Sequence, residues 1–304
     1  VGQVAGVEAL AALGAVDFLM WVVTGISTGL TQGFSIQLSQ YYGAKDFENL
    51  RKSLAHSYRL TAFIAAGVFI LSQSFASLVL TGLHTPSNII GMSLLYLRII
   101  FCGIPATAAY NMFASALRAM GNSKTPLTAM IIASVLNISL DILFVAGFGW
   151  GVAGAAIATV IAQSFSAVYC FLILRRIDIV HLTRADFMPA SGMNARLMKL
   201  GIPVVFQNII IGVGGLVVQY VINGYGFLFV AGFTATNKLY GLLEMAAISY
   251  GYAIVTYVGQ NLGAGKIDRI RKGVRSSMLL SLLTSLIISA AMFLFGKNIL
   301  SLFI

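Results

Sequence analysis

The chain has 304 residues, of which 59% are hydrophobic and 9% are charged, and its net charge is +10. Soluble domains contain about 25% charged residues, so this composition excludes a water-soluble globular protein. Several apolar runs exceed the roughly 20 residues that a helix needs to cross a bilayer, and the sequence therefore predicts an all-α integral membrane protein.

Polar segments and breaks that contain Gly or Pro divide the chain into eight predicted helical spans. In chain order they cover residues 9–42, 48–80, 88–119, 125–147, 151–175, 197–224, 228–262 and 267–304. The most polar connection lies between the fifth and sixth spans. We therefore predict an N-terminal lobe at residues 1–178, a linker at residues 179–196 and a partial C-terminal lobe at residues 197–304.

The basic residues are concentrated in alternate connections between the spans. Sixteen of the 19 lie near residues 42–60, 118–124, 175–199 and 264–275. Loops rich in Lys and Arg stay in the cytoplasm, so we predict a multi-pass protein of the inner (plasma) membrane with these turns on the cytoplasmic side. Membrane topology explains the positive charge, and no nucleic-acid partner is expected.

Two of the nine acidic residues, Asp141 and Glu244, fall at membrane depth in the predicted spans, whereas the others lie near the ends of the spans or in the connections. A charge at the centre of a membrane helix costs about 2.5–3.5 kcal/mol or more, and such residues usually mark ion or proton pathways. Asn137 and Asp141 are four residues apart and share one helix face. If the chain reverses at the Gly-rich turn 147–151, Asp141 and Thr159 lie ~9 Å and ~12 Å below it, at similar depth.

The chemistry expected of these side chains leaves two possibilities open. Carboxylate, amide and hydroxyl oxygens suit a small hard cation, whereas the carboxylate of Asp141 alone could hold a proton. The structural alternative is an Asp that is hydrogen-bonded between helices, as Asn and Thr often are in membranes.

Glu244 lies about fifteen residues into the seventh predicted span. Lys238 is six residues earlier, on a different face, and is a poor partner. Glu244 could face a central cavity and attract cationic substrates, with cation–π contacts from Tyr240, Tyr250 and Tyr252. The alternative is a structural acid that is satisfied by a neighbouring helix.

Two turns share a sequence pattern. The first is QYYGAKDFENLRK at residues 40–52, and the second is QNLGAGKIDRIRK at residues 260–272. Both lie on the basic side of the predicted membrane, so the repeat relates two halves that run in the same direction. The spacing of the repeats predicts six helices per lobe. Because the chain begins without an initiator Met and holds three helices of the second lobe, we expect a fragment that lacks the first helix and the last three.

Four segments, taken in order, resemble the MATE (multidrug and toxic compound extrusion) family along essentially the whole chain. They are VGQVAGVEALAALG at the start, the paired Q-x-x-G-A turns, GIPATAAYNMFASALRAMGNSKTP at 103–126 and NISLDILFVAGFGWGVAGAAIAT at 137–159. The resemblance implies a two-lobe, parallel-repeat transporter fold. It also implies a multidrug efflux antiporter that exports organic, cationic compounds in exchange for Na⁺ or H⁺, without a cofactor.

The resemblance further implies a cation site in the first lobe that matches Asn137, Asp141 and Thr159. These three would be the metal ligands if the ion is Na⁺, with the backbone carbonyl of Ala155 as an additional ligand. Tyr96, at similar depth in the third span, resembles another family site residue. The family site also uses an Asp on the first helix, which has no counterpart in this sequence.

The second lobe departs from the family pattern. The common acidic residue of the sixth span is absent, and Gln207 and Asn208 stand in its place. We include these two residues with Glu244 as candidates for the substrate cavity. This departure leaves ion coupling through the second lobe open.

Two other classes of membrane protein fit the sequence less well. An intramembrane enzyme is not expected, since the sequence has no H-E-x-x-H, G-x-S-x-G or P-loop motif. A lipid or oligosaccharide flippase of related two-lobe architecture would favour a cavity lined with basic residues, whereas the charges predicted at membrane depth are mainly acidic. The partners expected are small organic substrates and membrane lipids, and we expect a monomer.

Overall fold

The computed structural model describes residues 9, 12–13, 16–82, 85, 87–223 and 227–300. Within these residues all regular secondary structure is helical, which confirms the predicted all-α class. The chain divides into two compact units. They are Val1–Leu38 with Asp46–Gly212, and Ser39–Lys45 with Val213–Ile304.

Each predicted span coincides with a helix or with a pair of helices. In chain order these are α1 (Asp17–Gly43), α2 (Phe47–Gly82), α3 (Ile90–Cys102), α4 (Ile104–Ala119), α5 (Lys124–Asp141), α6 (Gly151–Arg175), α7 (Met193–Asn223), α8 (Phe227–Gly263) and α9 (Ile267–Leu300). In the part of the chain that the structure describes, five helices are long and apolar enough to cross a membrane, or six if the pair α3 and α4 counts as one span.

The third predicted span is broken between α3 and α4, which are bent by 45°. Pro105 lies in the first turn of α4, where its missing N–H group leaves no internal helix bond unmade. The N–H of Gly103 closes the end of α3 by donating to the carbonyl oxygen of Ile100 at 2.8 Å. A methyl group at Gly103 would lie 2.8 Å from Cγ2 of Val160, so glycine allows α6 to pack closely at the bend.

The fourth predicted span changes its geometry at its end. Residues Ile142–Gly147 continue α5 as a π-helix. The N–H of Phe148 donates to the carbonyl of Leu143, and that of Trp150 donates to the carbonyl of Phe144, both at 2.9 Å. The chain then reverses through the positive-φ residue Gly149. π-Helical turns occur frequently at functional sites, and this one directly follows Asp141.

The predicted linker is folded against α2. His56 is 1% exposed, and its ring nitrogens lie 2.7 Å from Oδ1 of Asn194 and 3.1 Å from the carbonyl oxygen of Met188. Arg59 donates to the carbonyl of Phe187 at 3.0 Å. These hydrogen bonds hold the linker on α2, so the most polar connection is a packed part of the first unit.

Asp46 caps the start of α2. Its carboxylate accepts hydrogen bonds from the backbone N–H of Asn49 at 3.1 Å and from the side-chain amide of Asn49 at 2.7 Å. The side-chain bond, followed by the backbone bond, holds the pKa of Asp46 below its usual range. The carboxylate therefore remains charged at neutral pH, and its negative charge stabilises the N-terminus of α2, the positive end of the helix dipole.

The second unit contains the Q-x-x-G-A stretch of both repeated turns. A methyl group at Gly43 would overlap the carbonyl oxygen of Gln260, and one at Gly263 would overlap the carbonyl oxygen of Gln40. Each of these carbonyls is held by its own helix, because it accepts the N–H of the residue four positions later at 2.9–3.0 Å. The two Q-x-x-G-A turns therefore pack backbone against backbone, in a reciprocal contact that only glycine permits.

Helices α8 and α9 pack against each other within the second unit. The hydroxyl groups of Tyr250 and Thr284 lie 2.7 Å apart, and Tyr257 donates to the carbonyl of Arg269 at 3.2 Å. The ring of Tyr257 covers Gly273, where a side chain would overlap it. The outer surface of α9 is apolar and exposed, as expected of a helix that faces lipid.

Candidate functional site

Helices α5 and α6 run side by side in opposite directions, and two contacts fix their register. Nδ2 of Asn137 lies 3.4 Å from Oγ1 of Thr159, and the hydroxyl of Ser166 lies 3.5 Å from the carbonyl oxygen of Ala129. The structure thus brings together two of the predicted site residues, from neighbouring helices. The same register places Asp141, one turn beyond Asn137, at the level of Ala155.

Thr159 links the amide of Asn137 to the backbone of α6. Its hydroxyl donates to the carbonyl oxygen of Ala155 at 3.0 Å and receives the amide N–H of Asn137. The carbonyl of Ala155 also accepts the backbone N–H of Thr159 within the α-helix, so both of its lone pairs are engaged, and it could bind a cation only if the Thr159 hydroxyl turned away. Asn137 directs its nitrogen at Thr159, so its oxygen is the atom that could bind a cation.

Asp141 is the charged member of the group and is half-buried. Its Oδ1 atom is enclosed and has no hydrogen-bond partner in the described residues. Buried polar atoms in native proteins are almost always satisfied, and burying an unpaired carboxylate is costly. A cation or a proton at Oδ1 would remove this cost.

Tyr96 lies close to the same region, on α3. It is 9% exposed and belongs to one apolar cluster with Ala155, Val152 and Val145. The cluster joins α3 to the start of α6 and to the π-helical segment. The structure therefore places Tyr96 beside the helix that carries Ala155 and Thr159, and its role in binding an ion stays a prediction.

Gln163 is a further polar residue of this helix that the sequence reasoning did not single out. It follows Thr159 by one turn of α6, and its Oε1 atom is buried without a hydrogen-bond partner among the described residues. Ala155, Thr159 and Gln163 share one helix face, because each is four residues from the next. This i, i+4 spacing of polar residues in an apolar helix was the signal available in the sequence.

The donors of the site are oxygens of different kinds: one carboxylate, amides, a hydroxyl and a backbone carbonyl. Within the described residues no three His, Cys, Asp or Glu side chains converge as they would around a transition metal. A single carboxylate with neutral oxygens is a donor set for a small hard cation. The residues present therefore fit Na⁺, and they equally allow protonation of Asp141.

The two predicted cavity residues of the sixth span occupy different environments. Asn208 donates its amide N–H to the carbonyl oxygen of Gly25 at 3.1 Å. Gly29 faces the same part of α7, where a methyl group would lie 2.9 Å from the backbone of Val205. Asn208 thus holds α7 close to α1, whereas Gln207 is exposed. A contact of either residue with substrate stays a prediction.

Glu244 is half-buried on α8, in the second unit. It takes part in neither of the two ion pairs found in the described residues, which join Arg51 to Asp186 and Lys52 to Glu48. The side chains of Lys238 and Tyr240 lie outside the described residues, and the hydroxyl of Tyr250 is engaged by Thr284 on α9. The substrate role of Glu244 stays a prediction.

Known proteins of similar sequence are also membrane proteins of the transporter class. The sequence matches the MatE family model over residues 1–143 and 203–304. The probable multidrug resistance protein YpnP of Bacillus subtilis (strain 168) is 32% identical over 304 residues, and the probable multidrug resistance protein YoeA of the same strain is 28% identical over 312 residues. Both alignments include the whole chain, which covers 68% and 67% of the respective relatives.

Solved structures share the fold. An outward-facing conformation of a multidrug resistance MATE family transporter of the MOP superfamily superimposes with a TM-score of 0.91, at 22% identity, over 97% of this chain and 66% of that chain. At this level of identity the likeness establishes the fold, and it confirms the predicted two-lobe transporter architecture. Since the family model matches well over half of its residues, the chain belongs to the MATE family.

Proposed function

We propose that this MATE protein is a secondary active multidrug efflux antiporter that exports organic cations in exchange for Na⁺ or H⁺. MATE proteins are transporters, which confirms the expectation that the chain is not an enzyme. The relatives YpnP and YoeA are described as probable multidrug resistance proteins. The observation that carries the proposal is the enclosed Oδ1 atom of Asp141, which has no hydrogen-bond partner among the described residues.

Either coupling ion would act on the same atom. Na⁺ would take its full counter-charge from Asp141 and its neutral ligands from Asn137, Thr159 and the carbonyl of Ala155. A proton would bind Asp141 directly and convert the carboxylate into a neutral group. In both cases the charge is neutralised, and a neutral group costs far less to enclose in hydrocarbon than a carboxylate does. Neutralisation would therefore favour conformations in which the site is closed.

Transport by the purified protein in proteoliposomes tests this proposal. A Na⁺ gradient and a pH gradient are imposed separately, and the movement of ethidium, an organic cation, is followed by fluorescence. We expect export that is driven by at least one gradient and that stops when the gradient is dissipated. Ethidium movement that is independent of both gradients would contradict the proposal.

The flippase alternative makes a different prediction in the same vesicles. A flippase would translocate a phosphate-bearing lipid and leave ethidium in place. Among the described residues, the fully buried polar and charged side chains include Asp186 and His56 but no Lys or Arg. A phosphate group inside the protein would need such cations, so the buried side chains in the described part of the chain offer a phosphate no counter-charge.

We further propose that Glu244 attracts cationic substrates. Glu244→Gln keeps the size of the side chain and removes its charge, which acts strongly in a poorly screened cavity. Export of ethidium should fall several-fold, while export of a neutral cargo should be nearly unchanged. Export of both cargoes is measured at matched protein levels. An equal loss for both cargoes, accompanied by a lower unfolding temperature, would assign Glu244 a structural role instead.

A further inference from the structure

Arg98 occupies an unusual position on α3. It follows Ile90, the first residue of the helix, by eight residues, which corresponds to about 12 Å along the axis. Tyr96 and Leu97 turn inward and are 9% and 0% exposed, whereas Arg98 is exposed on the opposite face. A cation therefore lies on the outer surface of a helix whose other residues are almost all apolar.

The guanidinium group has no protein partner in the described part of the chain. It donates no hydrogen bond there, and it takes part in neither of the two ion pairs. The same outer surface of α2 and α3 exposes apolar side chains, including Ile70 (60%), Leu78 (67%) and Leu95 (48%). An uncompensated arginine at membrane depth is costly, and it usually has a partner.

Gln73 places a second polar side chain at the level of Arg98. Its amide N–H group donates to the carbonyl oxygen of Arg98 at 2.8 Å and also lies 3.4 Å from Sγ of Cys102. This contact ties α2 to α3 beside the arginine. The outer surface thus places a cation beside an amide, among exposed apolar side chains.

We propose that Arg98, beside the contact that Gln73 makes between α2 and α3, forms a docking site for the headgroup of an anionic phospholipid. A long arginine side chain can extend along its helix toward the membrane interface while its stem stays in hydrocarbon. The planar guanidinium group binds phosphate oxygens through two parallel hydrogen bonds. The exposed apolar side chains of α2 and α3 would contact the acyl chains. A phospholipid has both an anionic headgroup for Arg98 and acyl chains for the apolar side chains around it.

The proposal is tested with the purified protein in nanodiscs of phosphatidylcholine, with or without phosphatidylglycerol. Retained lipid is measured by native mass spectrometry, and the midpoint of thermal unfolding is measured in parallel. We expect the wild-type protein to retain phosphatidylglycerol preferentially and to unfold at a higher temperature in its presence. Arg98→Gln should reduce this retention about tenfold, the loss expected for a charge-assisted hydrogen bond.

Lys124→Gln is the matched control. Lys124 is also exposed, but it is the first residue of α5 and lies in one of the polar connections, so its loss should leave phosphatidylglycerol retention unchanged. Arg98→Lys should give intermediate retention, because it keeps the charge and loses the bidentate geometry; it also serves as the test if Arg98→Gln does not fold. Retention in Arg98→Gln or Arg98→Lys that equals the wild type would overturn the proposal, as would equal losses in Arg98→Gln and Lys124→Gln.

Discussion

Asp141→Asn should yield a protein that folds and inserts normally but no longer exports ethidium in response to either a Na⁺ or a pH gradient. Asparagine keeps the size of the side chain and its ability to form hydrogen bonds. It can neither release a proton near neutral pH nor supply a full negative charge to a cation. Gradient-driven export should therefore fall to the level of protein-free liposomes, measured at equal amounts of reconstituted protein.

The neutral ligands provide graded controls for this experiment. Asn137→Ala and Thr159→Ala each remove one neutral oxygen and leave the charge of Asp141 in place. Each should weaken the apparent affinity for the coupling ion roughly fivefold, the factor expected for about 1 kcal/mol, without abolishing export. Wild-type export rates from Asp141→Asn would refute the coupling role and leave Asp141 as a residue of helix packing.

Gly43→Ala and Gly263→Ala should each destabilise the protein strongly. In both cases the new methyl group would overlap a backbone carbonyl oxygen, that of Gln260 or that of Gln40. These carbonyls are held by helical hydrogen bonds, so relief requires moving a whole turn and not merely a side chain. We expect a loss of about 2–3 kcal/mol, or roughly 5 °C or more in the midpoint of thermal unfolding in detergent.

Gly251→Ala is the matched control in α8. No atom lies within 4 Å of the position that a methyl group would take there. Alanine is preferred over glycine in a helix interior by about 0.5–1 kcal/mol, so this variant should be as stable as the wild type or slightly more stable. If Gly43→Ala and Gly251→Ala have the same unfolding midpoint, the close contact between the repeated turns is not important for stability.

Much of the fold could be predicted because membrane helices are marked by long apolar runs and by polar breaks. The helix bounds differ from the predicted spans by only a few residues at most ends, for example 48–80 against Phe47–Gly82 in α2. The π-helical segment after Asp141 was not predicted, since apolar composition does not distinguish i→i+4 from i→i+5 hydrogen bonds. The packing of the linker against His56 was also not predicted. A polar segment is expected to be exposed to water unless its hydrogen-bond partners are known, and those partners lie far away in the sequence.

The candidate site was only partly accessible from the sequence. The i, i+4 spacing placed Asn137 and Asp141 on one helix face, and the turn at 147–151 predicted that Asp141 is level with Thr159. In the structure Asn137 is the neighbour of Thr159, and Asp141 lies one turn further along α5. The contact of Asn208 with Gly25 could not be predicted, since it joins residues that are 183 positions apart. Such contacts depend on how three-dimensional packing brings helices together, and a single sequence carries no direct record of it.

The reciprocal contact of the two Q-x-x-G-A turns has a consequence for symmetry. Gly43 meets the carbonyl of Gln260, and Gly263, its equivalent in the other repeat, meets the carbonyl of Gln40. Exchanging the repeats maps the contact onto itself, as in the isologous interface of a C2 homodimer. A chain of half the length with one such turn could therefore make the same contact with a second copy of itself. In this chain the two turns supply both surfaces of such an interface within one polypeptide.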